Sequence, residues 1–438
     1  MTSYARNTHC VLSDVTENAE AIRHFVATIP AHLGERDAIV VAAPSSLIHH
    51  LQNAISAACQ RDQAGVSRSL RDILEIQHAL ISQTLGEENA EAETARFLGD
   101  IQSIIQQLKQ IPDRPTAQHI LSMGEIWTAR LLAENLLLAK IQSEMLVTTN
   151  VVRTRNDSYL GKDPSTRTGL QNTLAIVPGV TVLPAVATDE LGHNVVCASN
   201  HFATFVSQTL NSHSLTTWTD SDGVKSSPDA DIPNHVVESL STTEVAELSR
   251  LSHSMIPSST TADIVLRSVA GECHTQITET PNPAGVKLVH TLDAVKVLHV
   301  DCTGQDVAKV LATAEASLAK VGIQPLATDV DKEGDKISLA FPANMAEYVR
   351  GVLRIHQFKA MSIEDGKALV AIVGDGLESD WLLSFKFQQT LGASICMTGK
   401  TDVSHVAIVE SPTAANDAVP NIHAELILQD SPIAESSF

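Results

Sequence analysis

Ser122-Met123-Gly124-Glu125 sets a hydroxyl and a carboxylate one helical turn apart, just ahead of the apolar Trp127, Leu131 and Leu132. A carboxylate at the start of such an apolar helix is favoured by the helix dipole. Trp218-Thr219-Asp220-Ser221-Asp222-Gly223-Val224 crowds two acids and two hydroxyls around a glycine, and Asp222-Gly223 reads as the tip of a turn. Cys197 and His201 stand at the spacing of a thiol and its base at a helix start. The same spacing more often pairs a buried small residue with a surface one. Ser199 has no Asp–His relay beside it, so a hydrolase triad is unsupported. The 18 histidines include one adjacent pair, His49-His50, and no cluster with zinc-like spacing, so no metal site is expected.

These groups need a scaffold. Residues 38–43 (Ala-Ile-Val-Val-Ala-Ala) form a continuous apolar run, as a buried parallel strand would. From Leu47 to about Lys140 the texture is helical: Ile73, Leu74, Ile76, Leu80 and Ile81 recur at helical spacing, as do Ile101, Ile104, Ile105 and Leu108. Residues 174–177 and 180–186 read as strands, 202–210 as a helix, 216–233 as a polar, turn-rich connection and 242–251 as a helix. Strands follow at 264–269 and 287–290. Strands alternating with helices predict an α/β domain with a mainly parallel sheet. The C-terminal third carries a weak repeat: 295–300 (Val-Lys-Val-Leu-His-Val) opens one copy and 368–374 (Ala-Leu-Val-Ala-Ile-Val-Gly) opens the next. Each copy reads as a small ferredoxin-like βαββαβ sandwich whose sheet leaves one face for a partner or ligand.

The chain has 438 residues, with 51 Asp+Glu against 30 Lys+Arg, a net charge of −21. That balance argues against a nucleic-acid or anionic-membrane partner, since phosphate backbones reward clustered Lys and Arg. Cys10, Cys59, Cys197, Cys273, Cys302 and Cys396 are far apart with no C-x-x-C pair, which favours reduced thiols over a disulfide framework. No apolar h-region follows the N-terminus, and residues 173–188, the longest apolar stretch, are broken by Pro178 and Pro184. A cytoplasmic protein is expected.

The S-x-G-E and W-T-D-x-D-G-V segments, together with the doubled C-terminal module, resemble aspartate kinase of the amino-acid kinase superfamily, in this order and over nearly the whole chain. The resemblance implies an amino-acid-kinase-like three-layer α/β domain at 1–290, with 47–145 as its helical portion, and tandem ACT domains at 291–365 and 366–438. It implies transfer of a phosphoryl group from ATP to a substrate carboxylate, catalysed mostly by positioning and charge stabilisation. By the same resemblance Ser122 and Glu125 bind the substrate, Glu125 through its amino group. Thr219, Asp220, Asp222 and Lys225 border the nucleotide. Gly304, Gln305 and Asp306, between the first ACT strand and its helix, meet an amino-acid effector. The equivalent loop of the second copy, residues 374–380, carries three acids and repels a carboxylate.

The family's cations and phosphate-loop glycines are not where register places them. The lysine of its K-[FY]-G-G loop falls on Cys10, and the glycines on Leu12 and Ser13. Its R-G-G-S-D loop reads Val196-Cys197-Ala198-Ser199-Asn200, so the arginine is Val196 and the aspartate Asn200. A second lysine falls on Ser254 and a further arginine on Ala230. Removing one preorganised electrostatic contact costs roughly 10²–10³ in rate. Two readings follow: a catalytically impaired homologue that senses an amino acid or binds a partner, or an active aspartate kinase in amino-acid biosynthesis. ATP with Mg belongs only to the second. Under either, an amino acid is the small-molecule partner, and the ACT pair implies a homodimer or a hetero-oligomer with a paralogue.

Overall fold

The structure is a computed structural model describing residues 6–154, 164–229, 231–252, 263–271, 274–279, 284–320, 323–331, 335–355, 358 and 361–428. The chain divides into two compact units, Met1–Gly223 with Ser259–Gln276, and Val224–Ser258 with Ile277–Phe438.

The first unit begins with β1 (Thr8–Val11), the short helix α1 (Ser13–Thr16), α2 (Ala19–Thr28) and β2 (Ala38–Val41). Both strands are buried at every position, which suits apolar runs enclosed by helices on two faces. Three long helices follow: α3 (Ser45–Cys59), α4 (Gln63–Gln107), kinked at Gly86, and α5 (Arg114–Leu138). Asp62 and Asp113 cap α4 and α5 by accepting the Gly65 and Thr116 N–H groups. Their facing stripes, among them Leu47, Leu51, Ile73, Ile81, Phe97 and Trp127, form one core with β1 and β2. Then come β3 (Ser143–Met145), α6 (Pro164–Ile176), β4 (Val180–Pro184), β5 (Val186–Thr188), β6 (Asn194–Val196), α7 (Ser199–Leu210) and β7 (Ser214–Thr219).

Two local expectations change. Residues 174–177 end a helix instead of forming a strand, because Leu170 and Leu174 are buried at helical spacing on α6. Residues 214–219 form a strand that takes in 216–219, the start of the polar connection expected over 216–233. Thr216, Thr217, Trp218 and Thr219 are buried there, since their β-branched and aromatic side chains suit a strand paired on both edges.

In the second unit lie β8 (Ser239–Ser241) and α8 (Thr242–Ser252). β9 (Asp263–Ser268) returns to the first unit, followed by β10 (His274–Thr278). The first unit's sheet runs β3-β4-β2-β1-β7-β9-β10, with β1 parallel to β2 and β7, β2 and β3 parallel to β4, and β7 parallel to β9.

The rest of the second unit is β11 (Leu288–Asp301), α9 (Val307–Ala319), β12 (Ala327–Val330), β13 (Lys336–Pro342), α10 (Ala346–Ile355), β14 (Met361–Val373), α11 (Trp381–Leu391), β15 (Ile395–Thr401), β16 (Ser404–Val409) and α12 (Pro412–His423). These are two ferredoxin-like modules on one sheet, ordered β12-β13-β11-β14-β16-β15. The second module draws a strand from upstream: residues 288–292 pair antiparallel with 369–373, so the expected strands at 287–290 and 295–300 are one long element. One face of the sheet packs on α9–α12. One copy alone would leave the opposite face open, and in the pair Val295, Val297, Ala340, Leu369, Ala371, Val406 and Ile408 are all buried. The reason is curvature: β12 and β15, the ends of the strand order, lie against each other, with Ala327 beside Gly399. A salt-bridge cluster ties α8 to the second module. Lys287 Nζ lies 2.7 Å from the fully buried Glu244 and 3.9 Å from Asp375, and Ser241 donates to Asp375 at 3.0 Å.

Candidate functional site

In an open parallel sheet, ligands settle beyond the carboxyl ends of the strands, where the connections leave in opposite directions. Here β2, β4 and β3 lie on one side of β1, and β7 and β9 on the other. The crevice is therefore expected above the ends of β1 and β7, bordered by Leu12 to Asp14, Ala42 to Pro44, and Thr219 with Asp220.

The backbone donors at this edge are engaged by the chain itself. Leu12 N–H donates to Trp218 O at 3.0 Å and Ala42 N–H to Val11 O at 2.9 Å, extending the sheet ladder one residue further. Asp14 reaches across from β1 to β7: its carboxylate accepts the Asp220 N–H at 3.0 Å, the Thr219 hydroxyl, and the N–H of Val15 at 2.8 Å. On the other flank, Thr16 donates to Ala42 O at 2.8 Å. Glu17 accepts the Ser45 and Ser46 N–H groups, at 2.7 and 3.1 Å, at the start of α3.

Below the crevice, Trp218 Nε1 donates to His9 Nδ1 at 3.2 Å, and His9 Nε2 lies 3.2 Å from Asp37. Indole nitrogen is only a donor, so His9 Nδ1 must accept and its proton sits on Nε2, facing Asp37. Burial would raise the Asp37 pKa, but hydrogen bonds from His9 and from the Asn7 and Gly34 N–H groups hold it below the ordinary carboxylate value.

Glu125 comes from the middle of α5, not from a helix start as expected, so helix-dipole stabilisation does not account for it. Gly124 gives it room: a Cβ there would lie 2.9 Å from the tip of Ile48 and 3.5 Å from the Ala43 side chain, so a larger residue would make the Ile48 side chain move. The Glu125 carboxyl is buried and accepts the Ala43 N–H at 3.0 Å. Burial pushes its pKa up to about 8. Cys10 is fully buried in β1, and burial drives its thiol up to about 12 against a lowering influence from Ser199. Cys197 is likewise raised to about 12 by burial, and its thiol donates to Val195 O at 3.7 Å. Neither thiol ionises near neutrality, and His201 is exposed on α7, so the Cys197–His201 pairing gains no support.

The amino acid kinase family model matches residues 13–277, more than half of the chain. The chain belongs to the amino acid kinase family. It is 22% identical over 402 residues to the bifunctional aspartokinase/homoserine dehydrogenase 2 of Escherichia coli strain K12, covering 86% of this chain and 49% of that protein. The chain thus spans about half the length of that curated relative. Its fold is similar to that of Escherichia coli aspartokinase III in complex with aspartate and ADP in the R-state, with a TM-score of 0.79 at 15% identity, covering 95% of this chain and 99% of that one. The T-state of that enzyme with lysine and aspartate gives 0.70 at 15% identity, covering 96% and 99%. Clostridium acetobutylicum aspartate kinase gives 0.67 at 12% identity, covering 95% and 99%.

Within this amino acid kinase fold, the residues singled out by motif have separate fates. Cys10, Ser199 and Glu125 come together. Ser122 is buried, donating to His119 O at 2.7 Å and accepting from Asn194 at 2.9 Å. Val196 ends β6, its N–H donated to Gln118 at 3.2 Å. Asn200 is buried in the first turn of α7, where its side-chain oxygen accepts the His201 N–H. Thr219 and Asp220 stand at the crevice bonded to Asp14, while Asp222 is exposed beyond them. Lys225 belongs to the second unit, where its backbone bridges to Val236. Ser254 and Ala230 lie outside the described residues. In the ferredoxin-like pair, Gly304 turns with φ at +73°, Gln305 N–H donates to Cys302 O, and Asp306 caps α9 through the Ala308 and Lys309 N–H groups. Among the described residues, no three His, Cys, Asp or Glu converge as metal ligands, and no helix is long and apolar enough to cross a membrane. Motif reading passed over Asp14, Glu17, His9 and Asp37. The visible signal was two acids between a buried strand and the Asn18 cap, where a phosphate loop would carry none.

Glu125 gives the crevice a pH signature. The folded chain holds its proton up to about pH 8, whereas the unfolded chain releases it near the ordinary value of 4.5. Between those values the folded state binds more protons, so stability falls as pH rises. Wild type is expected to lose stability relative to Glu125→Gln by up to about 1.4 kcal/mol per pH unit across this window. Denaturant unfolding at a series of pH values checks this; parallel profiles for the two proteins contradict it.

Proposed function

We propose that this chain is an aspartate kinase-like protein that has lost ordinary phosphoryl transfer and serves as an amino-acid-sensing or partner-binding homologue. The observation that carries this reading is Cys10. At the position where the resemblance puts a lysine, a fully buried thiol stays neutral at physiological pH. Phosphoryl transfer to a carboxylate needs positive charge around the transferring group. In its place β1 and the segment after it offer a neutral thiol, the apolar Leu12, and the acids Asp14 and Glu17, while Val196 at the end of β6 supplies no charge. These residues do not fit a triphosphate with its metal. Glu125, whose carboxyl is protonated at neutral pH, is a poor partner for a substrate ammonium.

The regulatory half of the reading rests on the ferredoxin-like pair, for which 291–365 and 366–438 remain the proposed ACT boundaries, with 1–290 as the kinase-like domain. Gly304, Gln305 and Asp306 form an exposed loop there. Asp306 already occupies the α9 N–H groups that an effector carboxylate would seek, which favours an interface over that loop alone. The test is turnover with Mg·ATP and L-aspartate against a Glu125→Ala control. Equal background rates are expected; turnover above the control establishes the active aspartate kinase instead.

A further inference from the structure

We infer that residues 13–17 act as a built-in acidic plug, two carboxylates of the chain holding the donors that would otherwise receive an oxyanion at the β1/β7 crevice. The inference rests on the loss of phosphoryl transfer proposed above and names its physical cause. Two independent contacts carry it. Asp14 joins the ends of β1 and β7, taking the Asp220 N–H, the Thr219 hydroxyl and the Val15 N–H. Glu17 takes the first two N–H groups of α3, a helix of 15 residues following β2, whose Pro44 cap position supplies no side-chain acceptor. Helix amides and strand-end amides of this kind are what an anionic ligand uses at the carboxyl edge of a parallel sheet.

The segment is pinned as well as charged. Thr16 is buried and donates to Ala42 O at 2.8 Å and to Ser13 O at 3.1 Å, and Ser45 donates to Ser13 Oγ at 3.1 Å. The plug is thus hydrogen-bonded to the ends of β2 and β7 together. Hydrogen bonds to a carboxylate are short and roughly twice as strong as neutral ones. An incoming oxyanion must break them and then face two negative charges at close range. The ligand class excluded is a phosphate or pyrophosphate oxyanion, free or as part of a nucleotide.

The experiment measures binding of inorganic pyrophosphate to the full chain by titration calorimetry, for wild type, Asp14→Ser, Glu17→Gln and the double variant. Wild type is expected to show no saturable binding up to the highest pyrophosphate concentration titrated, and Asp14→Ser and the double variant to saturate at least about tenfold below that concentration, the weight of one charge-assisted hydrogen bond. Asp14→Asn removes the charge while keeping the side chain in place; a smaller gain is expected, and it substitutes for Asp14→Ser should that variant unfold. Equal binding by wild type and variants, or folded variants that gain nothing, overturns the plug. The turnover assay separates the two readings. If wild type phosphorylates aspartate, both fail. If it does not, and unplugged variants stay blind to pyrophosphate, only the plug fails.

Discussion

Trp218→Ala lowers the unfolding free energy of the first unit by about 3–5 kcal/mol, the usual loss for a large aromatic removed from a core. Trp218 has no exposed surface, and its ring lies edge-on to Phe25 at 5.4 Å and beside His32 at the same distance. The damage goes beyond a cavity, because the indole N–H is the donor to His9 Nδ1. Trp218→Phe keeps most of the volume and isolates that loss, expected at about 1–3 kcal/mol for an unsatisfied buried acceptor. Guanidinium unfolding followed by circular dichroism measures both. Near-equal midpoints for wild type and Trp218→Ala contradict the placement of Trp218 as the keystone between β1 and β7.

Lys287→Met is expected to cost a comparable amount in the second unit, about 3–5 kcal/mol, because removing one partner of a buried ion pair strands the other. The stranded group is Glu244, whose carboxylate is fully buried beside Lys287 and also accepts the Ser241 N–H. Ser241 and Glu244 bond each other reciprocally at the start of α8, the Ser-x-x-Glu capping arrangement. The pair therefore anchors α8 to the second ferredoxin-like module through Asp375. Adding Glu244→Gln to Lys287→Met is expected to recover part of the loss, since the uncompensated charge is gone. Unfolding of the single and double variants checks this; a double variant worse than the single one contradicts it.

The fold was legible where burial leaves one solution. Four consecutive apolar residues at 38–41 can hardly be anything but an enclosed strand, and the stripes around Ile73 and Ile101 fix the long helices. Serine, threonine and tryptophan at 214–219 carried no such pattern, because polar residues are not marked in the sequence as the members of a strand that is paired on both edges and buried. Pairing of the two C-terminal copies implied that they would cover each other's open faces, but the meeting of β12 with β15 was beyond reach. Alternation says that a face is apolar, not which other part of the sheet will cover it. At the site, the missing cations could be counted from motif register, and Glu125 was found through the S-x-G-E segment. Its true environment could not be read, since a mid-helix carboxylate buried against a strand end depends on the packing of α5 on α3. Asp14 and Glu17 were overlooked because their meaning is positional: only folding brings them onto the ends of β7 and the start of α3.

If the amino acid kinase fold here has lost phosphoryl transfer, as proposed, the chain forms no aspartyl phosphate. Purified full-length chain would be incubated with Mg·ATP and L-aspartate at neutral pH, and the acyl phosphate trapped with hydroxylamine as the hydroxamate, beside Glu125→Ala treated identically. Hydroxamate is expected at the level of the control, with no dependence on aspartate. Aspartate-dependent hydroxamate that rises above the Glu125→Ala level contradicts it.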